Sequence, residues 1–267
     1  IVLLLFTISA KQMEKADLII HNARVYTVND SFSVESSFAV KDGKFLAVGT
    51  GNEIMEQYQA EKIIDLEGKP VYPGFIDGHC HFYYYGVNKL RYADLVGTQS
   101  YQEILEILQN HHKENNAEWL LGRGWDQNDW PVKEFPTNQE LNELYPDTPV
   151  VLTRIDGHAV VANEEAIIRT GLDKENIPDG EAIYDNGKFT GVFLEGTADR
   201  IREEIPEPER EEKEQALMTA QEDCFAVGLT SVFDAGLEKP VIEVIDSLQK
   251  AGELKMRLDV MLTPNKQ

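Results

Sequence analysis

Apolar and polar residues alternate in short runs between residues 17 and 65, and the runs end at turn-forming residues. Successive side chains of a strand point to opposite faces, so this pattern predicts short β-strands. Asp42-Gly43 lies between two such runs and is a strong hairpin signal. A short helix is predicted over residues 52–59. Together these features predict a small antiparallel β unit.

A second pattern begins after residue 70, where apolar runs alternate with segments of helical spacing. Residues 71–76 form a continuous apolar run, which is typical of a fully buried strand. Asn186-Gly187 predicts a further hairpin. Helices are predicted over residues 101–112, 162–170, 208–227 and 239–251, and strands over residues 118–125, 149–155, 229–236 and 255–262. Strands that alternate with helices predict a parallel α/β architecture.

The composition narrows the class of partner. The chain has 267 residues and carries 25 basic against 47 acidic side chains, a formal net charge of −22. This charge repels phosphate backbones and argues against nucleic acid as a partner. No G-x-G-x-x-G segment opens a helix after a strand, which counts against a dinucleotide-binding domain. Cys80 and Cys224 are too few for a disulfide framework, and we expect both to be free and buried, with a single disulfide as the alternative.

The chain opens with an apolar run at residues 1–8 that is far too short to span a bilayer. It resembles the core of a secretory signal peptide, followed by a poor small-residue cleavage site. The other interpretation is a buried β-strand. The polar residues 11–15 favour a signal remnant over residues 1–12, and hence export to the cell envelope or periplasm; otherwise the protein is expected in the cytoplasm. No other segment has the character of a membrane span.

Two histidines separated by one residue follow the apolar run, in the segment PGFIDGHCH. Asp77, His79 and His81 are predicted to share one face of a strand, while Cys80 points to the other. Two imidazoles on one face can reach a single metal ion at about 2.0–2.1 Å. A bare H-x-H also occurs by chance on edge strands, so the preceding β unit, the Pro-Gly pair and Asp77 are what favour a metal site.

PGFIDGHCH after a small β unit resembles the opening barrel strand of the amidohydrolase superfamily. The segments GRGWDQNDWP, RIDGHAVVAN, GVFLEGTAD and AVGLTSVFDAG narrow this resemblance to the family-3 amidohydrolases, the group that contains N-substituted formamide deformylase. The resemblance runs from about residue 17 to the end of the chain. Several motifs in one order make it specific for the family, but they leave the substrate open.

The resemblance implies an α/β fold in which a metal-dependent (β/α)₈ TIM barrel accompanies a small β-sandwich. Residues 13–70 would form the N-terminal part of the sandwich, and residues 71–267 the first part of the barrel. Barrel strands one, two and three would be residues 71–81, 230–235 and 256–262. Residues 87–227 would then be a long family-specific insertion, far beyond ordinary loop lengths.

The resemblance also implies metal ligands that the sequence does not contain. Such a barrel typically needs about 250 residues, and the later strands of the superfamily supply a lysine, two histidines and an aspartate. No histidine follows His158. We therefore expect the sequence to be the front half of a longer protein. Alone, with open strand edges, this half is expected to be neither stable nor active.

Two residues of the predicted insertion are candidates for the site. Glu195 follows an apolar run, where a carboxylate is expected to be paired or metal-bound. It would approach the metal or pair with an arginine such as Arg123 or Arg154. His158 lies just past a predicted strand, where it would contact substrate or serve as a satisfied structural histidine.

Aromatic residues suggest where a substrate would bind. Trp125 and Asp126 predict a pocket wall, with core packing inside the insertion as an equally supported alternative. Tyr83 belongs to an aromatic run directly after the histidine pair. It would contact substrate or cover the mouth of the barrel.

These features predict a metal-dependent hydrolase of non-peptide carbon–nitrogen bonds, of amide or formamide type. His79 and His81 would hold one or two divalent ions, with zinc as the first choice, and the metal would activate water. Asp77 would orient an imidazole, and the general base would be a late-strand aspartate. A small-molecule substrate is expected, and a homodimer is compatible with the sequence. The alternatives are a deaminase or esterase at the same site, and a non-catalytic binding protein that kept the fold.

Overall fold

The structure is a computed structural model that describes residues 13–115, 117–172 and 177–263. It divides into two compact units, the first through Ile76 and the second from Asp77. The predicted signal remnant at residues 1–12 lies outside the described residues. Within the described ranges, no helix has both the length and the apolar character that crossing a membrane requires.

The first unit consists of short strands and one helix. Its elements are β1 (Glu14–His21), β2 (Arg24–Tyr26), β3 (Val34–Glu35), β4 (Ser37–Lys41), β5 (Lys44–Gly49), α1 (Gly51–Gln57), β6 (Tyr58–Asp65) and β7 (Pro70–Val71). Asp42-Gly43 joins β4 to β5 with both residues at positive φ, as a type I′ hairpin turn requires. The predicted hairpin is therefore confirmed. Helix α1 begins at a capping box in which Thr50 and Glu53 exchange hydrogen bonds.

Two sheets build this unit, one in the order β5-β4-β1-β6 and the other in the order β3-β2-β7. An apolar cluster joins Ile20 and Phe38 of the larger sheet to Val25 of the smaller one. The pairs β1–β6 and β2–β7 are parallel, so the prediction of an antiparallel unit is wrong for them. A hairpin forces antiparallel pairing, but these strands are joined by long connections, whose direction the local pattern does not encode.

The second unit alternates strands with helices. Its strands are β8 (Phe75–Cys80), β9 (Tyr92–Asp94), β10 (Leu120–Trp125), β11 (Val150–Arg154), β12 (Ala159–Ala162), β13 (Ala182–Asp185), β14 (Lys188–Leu194), β15 (Leu229–Leu237) and β16 (Arg257–Leu262). Its helices are α2 (Phe82–Arg91), α3 (Tyr101–Asn115), α4 (Gln139–Leu144), α5 (Glu164–Arg169), α6 (Glu195–Glu203), α7 (Arg210–Ala226) and α8 (Lys239–Ala251). All four predicted helices are present, as α3, α5, α7 and α8.

A six-stranded sheet in the order β13-β14-β12-β11-β10-β9 fills the predicted insertion. Alternate residues of its strands enter two different apolar clusters, with Leu120 and Val150 in one and Leu121 and Val151 in the other. Helices α3 and α4 contribute to the first cluster, and α5 and α6 to the second. Both faces of this sheet are therefore covered by helices.

The six-stranded sheet is mixed, which corrects the prediction of a parallel architecture at β12 and confirms the hairpin predicted at Asn186-Gly187. β9, β10 and β11 are parallel, whereas β12, β13 and β14 pair antiparallel. The physical reason lies in the connections, because β11 turns back into β12 within four residues and Asn186-Gly187 closes the β13–β14 hairpin. Such short connections leave no room for a crossover.

A three-stranded sheet in the order β16-β15-β8 completes the second unit. β15 and β16 run parallel. One apolar cluster combines Val232 of β15 with residues of α2, α7 and α8. Phe75 and Ile76 of β8 are 52% and 65% exposed, so the prediction of a fully buried strand here is wrong. The strand lies at the edge of its sheet, where one side has no neighbouring strand in the described chain.

Candidate metal centre

The histidine pair lies where β8 passes into α2. His79 is the penultimate residue of β8. His81 is the N-cap residue of α2, with φ −125° and ψ 66°. Both side chains belong to exposed residues. The backbone carbonyl of His81 accepts a hydrogen bond from the Tyr85 amide at 2.8 Å, which begins the helix. The His81 imidazole makes no capping hydrogen bond, so the helix does not use it.

The two imidazoles lie close enough to share an ion. Their ring centroids are 5.9 Å apart and the ring planes are inclined at 79°. Two imidazoles on one tetrahedral Zn²⁺ place their centroids about 5 Å apart, given a Zn–N distance of about 2.0–2.1 Å. The pair therefore fits a divalent metal with a small side-chain adjustment. Among the described residues, no group of three or more His, Cys, Asp or Glu side chains is arranged to hold a metal.

Cys80 lies between the histidines but belongs to a different environment. Its side chain packs against the apolar cluster of α2, α7 and α8. Burial, together with the charges of Asp234 and Asp77, raises the pKa of its thiol to about 11. The thiolate that binds metals is therefore strongly disfavoured at neutral pH. Both Cys80 and Cys224 are free thiols in the structure.

Asp77 makes a backbone contact in the structure. Its Oδ1 accepts a hydrogen bond from the His79 amide at 3.0 Å. The carboxylate thus fixes the main chain at the first histidine, two residues along. Its predicted role of orienting an imidazole stays a prediction.

An open cleft of about 980 Å³ lies beside the histidine pair. Its lining residues come from β8, α2, β9, β10, the end of α7 and β15, and include Asp77, His81, Tyr84, Tyr85, Arg123 and Asp223. Asp223 accepts hydrogen bonds from the Tyr85 hydroxyl at 2.7 Å and from Lys89 Nζ at 2.6 Å. The hydrogen bonds from Lys89 and Tyr85 hold the pKa of Asp223 below its usual range.

Tyr83 does not line this cleft, in contrast to its two neighbours in the aromatic run. Its side chain is 2% exposed and belongs to the apolar cluster of α2, α7 and α8. Burial raises the pKa of its hydroxyl. The expectation that Tyr83 contacts substrate is not supported by this position, because the helical turn after His81 directs residue 83 into the core and residues 84 and 85 outward.

Trp125 is also a core residue. It is fully buried, and its indole Nε1 donates to the Leu152 carbonyl at 2.9 Å. Of the two interpretations of this tryptophan, core packing inside the insertion agrees with the structure and the pocket wall does not. Asp126 is half-buried, and its Oδ1 accepts from the Asn128 amide at 2.9 Å, which caps the short 3₁₀ turn Gln127–Asp129.

His158 and Glu195 are brought together by the six-stranded sheet. His158 Nδ1 lies 3.0 Å from Glu195 Oε2, and the Glu195 amide donates to the His158 carbonyl at 3.0 Å. Both side chains are mostly exposed. The expectation that Glu195 is buried or paired with an arginine is therefore wrong. The chain places it at the first position of α6, past the end of β14, where the sheet no longer covers it.

His158 and Glu195 belong to a larger network of polar side chains. The Asp156 carboxylate accepts from the His158 amide at 3.0 Å and forms a bidentate salt bridge with Arg154. The hydrogen bond with Glu195 raises the pKa of His158 above 6.5, and the hydrogen bond with Arg154 lowers that of Asp156. Glu195 has a φ of +45°. Such a conformation is costly for a residue with a side chain and recurs at functional sites.

Asp234 lies near the end of β15, within the segment AVGLTSVFDAG, and close enough to His81 to feel its charge. It is 1% exposed, and its Oδ2 accepts from the Tyr83 amide at 3.1 Å. Its Oδ1 is buried and makes no well-formed hydrogen bond with a described residue. Burial raises the pKa of Asp234, while the Tyr83 amide and the charge of His81 oppose the rise.

The fold and the histidine pair point to metal-dependent hydrolases. An uncharacterised metal-dependent hydrolase of Pyrococcus horikoshii superposes with a TM-score of 0.70 at 27% identity, covering 92% of this chain and 48% of that one. A second, from Pyrococcus furiosus, gives a TM-score of 0.68 at 25% identity, with 92% and 50% covered. Residues 62–263 match the Amidohydrolase family, and the chain belongs to this family.

Curated relatives agree with this assignment. YtcJ of Bacillus subtilis is 30% identical over 216 residues, which are 79% of this chain and 41% of that protein. The N-substituted formamide deformylase of Arthrobacter pascens is 29% identical over 258 residues, or 91% of this chain and 46% of the deformylase. The chain thus spans less than half the length of these relatives. The predicted resemblance to family-3 amidohydrolases is confirmed.

Proposed function

We propose that the protein is a metal-dependent hydrolase of non-peptide carbon–nitrogen bonds, of amide or formamide type. The observation that carries the proposal is the His79–His81 pair, whose imidazoles lie at a spacing suited to one ion. Membership of the amidohydrolase family and the 29% identity to an N-substituted formamide deformylase support the reaction class. The substrate is proposed to be a small molecule.

His79 and His81 are proposed to hold the metal, with Zn²⁺ as the first choice because two imidazoles suit it. A divalent metal supplies a water of lowered pKa, about 7, and a Lewis acid for the substrate carbonyl. The chain's own contribution is to fix the two ligands. Asp77 holds the main chain at His79, and the start of α2 holds His81.

We further propose that β8, β15 and β16 are the first three strands of a (β/α)₈ barrel. Their order in the sheet follows their order in the chain, and β15 and β16 are parallel. The metal pair then lies at the carboxyl end of the first strand, which is where barrel enzymes place their active sites. The first unit, with two sheets around one apolar cluster, is proposed as part of a β-sandwich.

His158 and Glu195 are proposed as the contribution of the six-stranded sheet to the site. Both side chains are open to solvent, and their reciprocal contact holds a carboxylate and an imidazole in one orientation. A carboxylate beside an imidazole can bind a metal or a polar substrate group. The strained backbone of Glu195 is consistent with such a role.

The test is the metal content of the purified protein after dialysis against Zn²⁺, measured by plasma emission spectrometry. His79→Ala and His81→Ala are each expected to lose the bound metal. His111→Ala is the matched control, because His111 contacts Asn115 on α3 and no residue of the pair. Unchanged metal in both site variants would show that the pair is not the metal centre.

Substrate profiling separates the remaining possibilities. N-substituted formamides and simple amides are the expected substrates, with cyclic amidines and esters as the comparison. Preferred turnover of a cyclic amidine would replace the proposal with a deaminase. Bound metal without turnover of any of these classes would favour a binding protein that kept the fold.

A further inference from the structure

Helix α2 begins at a metal-ligand candidate rather than at an ordinary capping residue. An N-cap side chain normally accepts a hydrogen bond from an amide of the first turn. His81 occupies the N-cap position but makes no such hydrogen bond. Unless another group accepts, the amides of this buried first turn lack partners, which is costly.

Asp234, on strand β15, accepts the hydrogen bond that the N-cap side chain does not accept. Its Oδ2 accepts from the Tyr83 amide at 3.1 Å, although the two residues are 151 positions apart in the chain. The contact is buried, and the carboxylate meets the positive end of the helix dipole. The strand that carries Asp234 thereby holds the first turn of α2, and with it the backbone of His81.

The other carboxylate oxygen of Asp234, Oδ1, is in a different situation. Asp234 Oδ1 is buried and makes no well-formed hydrogen bond with a described residue, while the Phe82 amide also acts on the carboxylate. The native structures of proteins leave few buried oxygens without a partner. A buried carboxylate oxygen beside the start of α2 can therefore accept one further hydrogen bond. In metal sites, carboxylates accept such hydrogen bonds from the second ring nitrogen of a metal-bound imidazole.

We propose that Asp234 is a positioning residue, which fixes His81 for metal binding by capping α2 from the neighbouring strand. This inference rests on the proposed metal centre and deepens it. It assigns to Asp234 the supporting role that the sequence assigns to Asp77. Asp77 accepts from the His79 amide, and Asp234 accepts from the Tyr83 amide, two residues after His81.

The experiment is calorimetric titration of Zn²⁺ into the metal-free full-length protein, in parallel with amide hydrogen exchange read at Tyr83. Asp234→Ala is expected to weaken Zn²⁺ binding by about 10- to 100-fold, as losses behind a metal ligand do. It is also expected to speed exchange at Tyr83. Asp234→Asn keeps an acceptor oxygen of the same shape, so it should restore slow exchange and most of the affinity.

Asn163→Ala is the matched control for general destabilisation. Asn163 is a fully buried N-cap residue of α5, whose side chain accepts from the Ala166 and Val150 amides in the six-stranded sheet. Its removal should cost stability without changing Zn²⁺ affinity. If Asn163→Ala and Asp234→Ala weaken Zn²⁺ binding equally, the role of Asp234 is merely structural and the inference is overturned.

The remaining outcomes separate this inference from the proposed function. Zn²⁺ affinity that falls in His81→Ala but not in Asp234→Ala keeps the metal centre and overturns the inference. Affinity that is the same in wild type and His81→Ala removes the metal centre, and with it the positioning role. Unchanged exchange at Tyr83 in Asp234→Ala would overturn the capping role in every case.

Discussion

The two sheets of the second unit differ in how they are covered. The six-stranded sheet has helices on both faces, and all four residues of β12 are fully buried. Among the described residues, the three-stranded sheet has an apolar helical layer on one face only, toward which Leu258 and Val260 point. On its other face, Phe233 and Met261 are 41% and 62% exposed.

Apolar residues of the strands have different environments in the two sheets. In the covered sheet, alternate residues feed two apolar clusters, so nearly every position contributes to stability. In the partly covered sheet, alternate residues either enter the helical cluster or meet solvent in the described chain. The histidine pair belongs to the less covered sheet, so its ligands are held by hydrogen bonds such as those of Asp77 and Asp234 more than by packing.

The largest expected effect is in the covered sheet. Trp125→Ala removes a fully buried indole and leaves the Leu152 carbonyl without its donor. The free energy of unfolding should fall by about 4 kcal/mol, within the range for buried aromatic residues. Urea denaturation followed by circular dichroism measures this change. A loss of substrate affinity with stability unchanged would instead restore Trp125 as a pocket residue.

The next effect tests the helical layer of the less covered sheet. A Cβ at Gly86 would lie 2.0 Å from the Ala216 carbonyl oxygen, because α2 and α7 pack closely there. Gly86→Ala should therefore lower the free energy of unfolding by about 3 kcal/mol, as overpacking against a backbone does. Gly51→Ala is the control, since Gly51 is also helical and its Cβ would meet only the Ser36 hydroxyl at 4.0 Å. Equal melting temperatures for the two variants would contradict the close approach.

The third prediction concerns the open face itself. Replacing Phe233 and Met261 together, as Phe233→Thr and Met261→Thr, should change the free energy of unfolding of the 267 residues alone by no more than about 0.5 kcal/mol. Where the further strands of the proposed barrel cover this face, the loss should be larger. Both side chains are exposed, and threonine has the β-branched shape that strands favour. Denaturant midpoints of the double variant and wild type check this. A loss above about 2 kcal/mol would mean that the face is covered and that the two sheets are alike.

The local features of the fold were predictable from the sequence. The Asp42-Gly43 and Asn186-Gly187 turns both have the two positive φ values that their residue types favour. Helix α8 has the predicted bounds because Pro240 stands in its first turn and Gly252 ends it in the left-handed conformation. These signals act over a few residues, so the sequence carries them locally.

The tertiary partners were not predictable in this way. The capping contact between Asp234 and Tyr83 joins residues 151 positions apart, and no local pattern reports it. Glu195 follows an apolar run that suggests burial, but the change from strand to helix at that residue turns it to solvent. The pairing of β1 with β6 likewise depends on the whole connection rather than on alternation.

The smallest expected effect is electrostatic and lies on the rim of the covered sheet. The hydrogen bond with Glu195 raises the pKa of His158 above 6.5, with Asp156 as a smaller contributor. Glu195→Gln should therefore lower the pKa of His158, and Asp156→Asn should lower it less. Nuclear magnetic resonance titration of the His158 ring protons measures both changes.

The sign of the pH dependence follows from the raised pKa. A pair that favours protonated His158 stabilises the folded chain fully below pH 6.5, and this contribution is lost as the pH rises through the raised value. Because both side chains are exposed, salt should weaken the effect. Glu195→Gln should remove the pH-dependent part of the stability while leaving the basal stability of the six-stranded sheet in place. Equal His158 pKa values in wild type and Glu195→Gln would show that the contact between His158 and Glu195 does not persist in solution. The polar edge of the six-stranded sheet would then lack the ordering contact that distinguishes it from the exposed face of the three-stranded sheet.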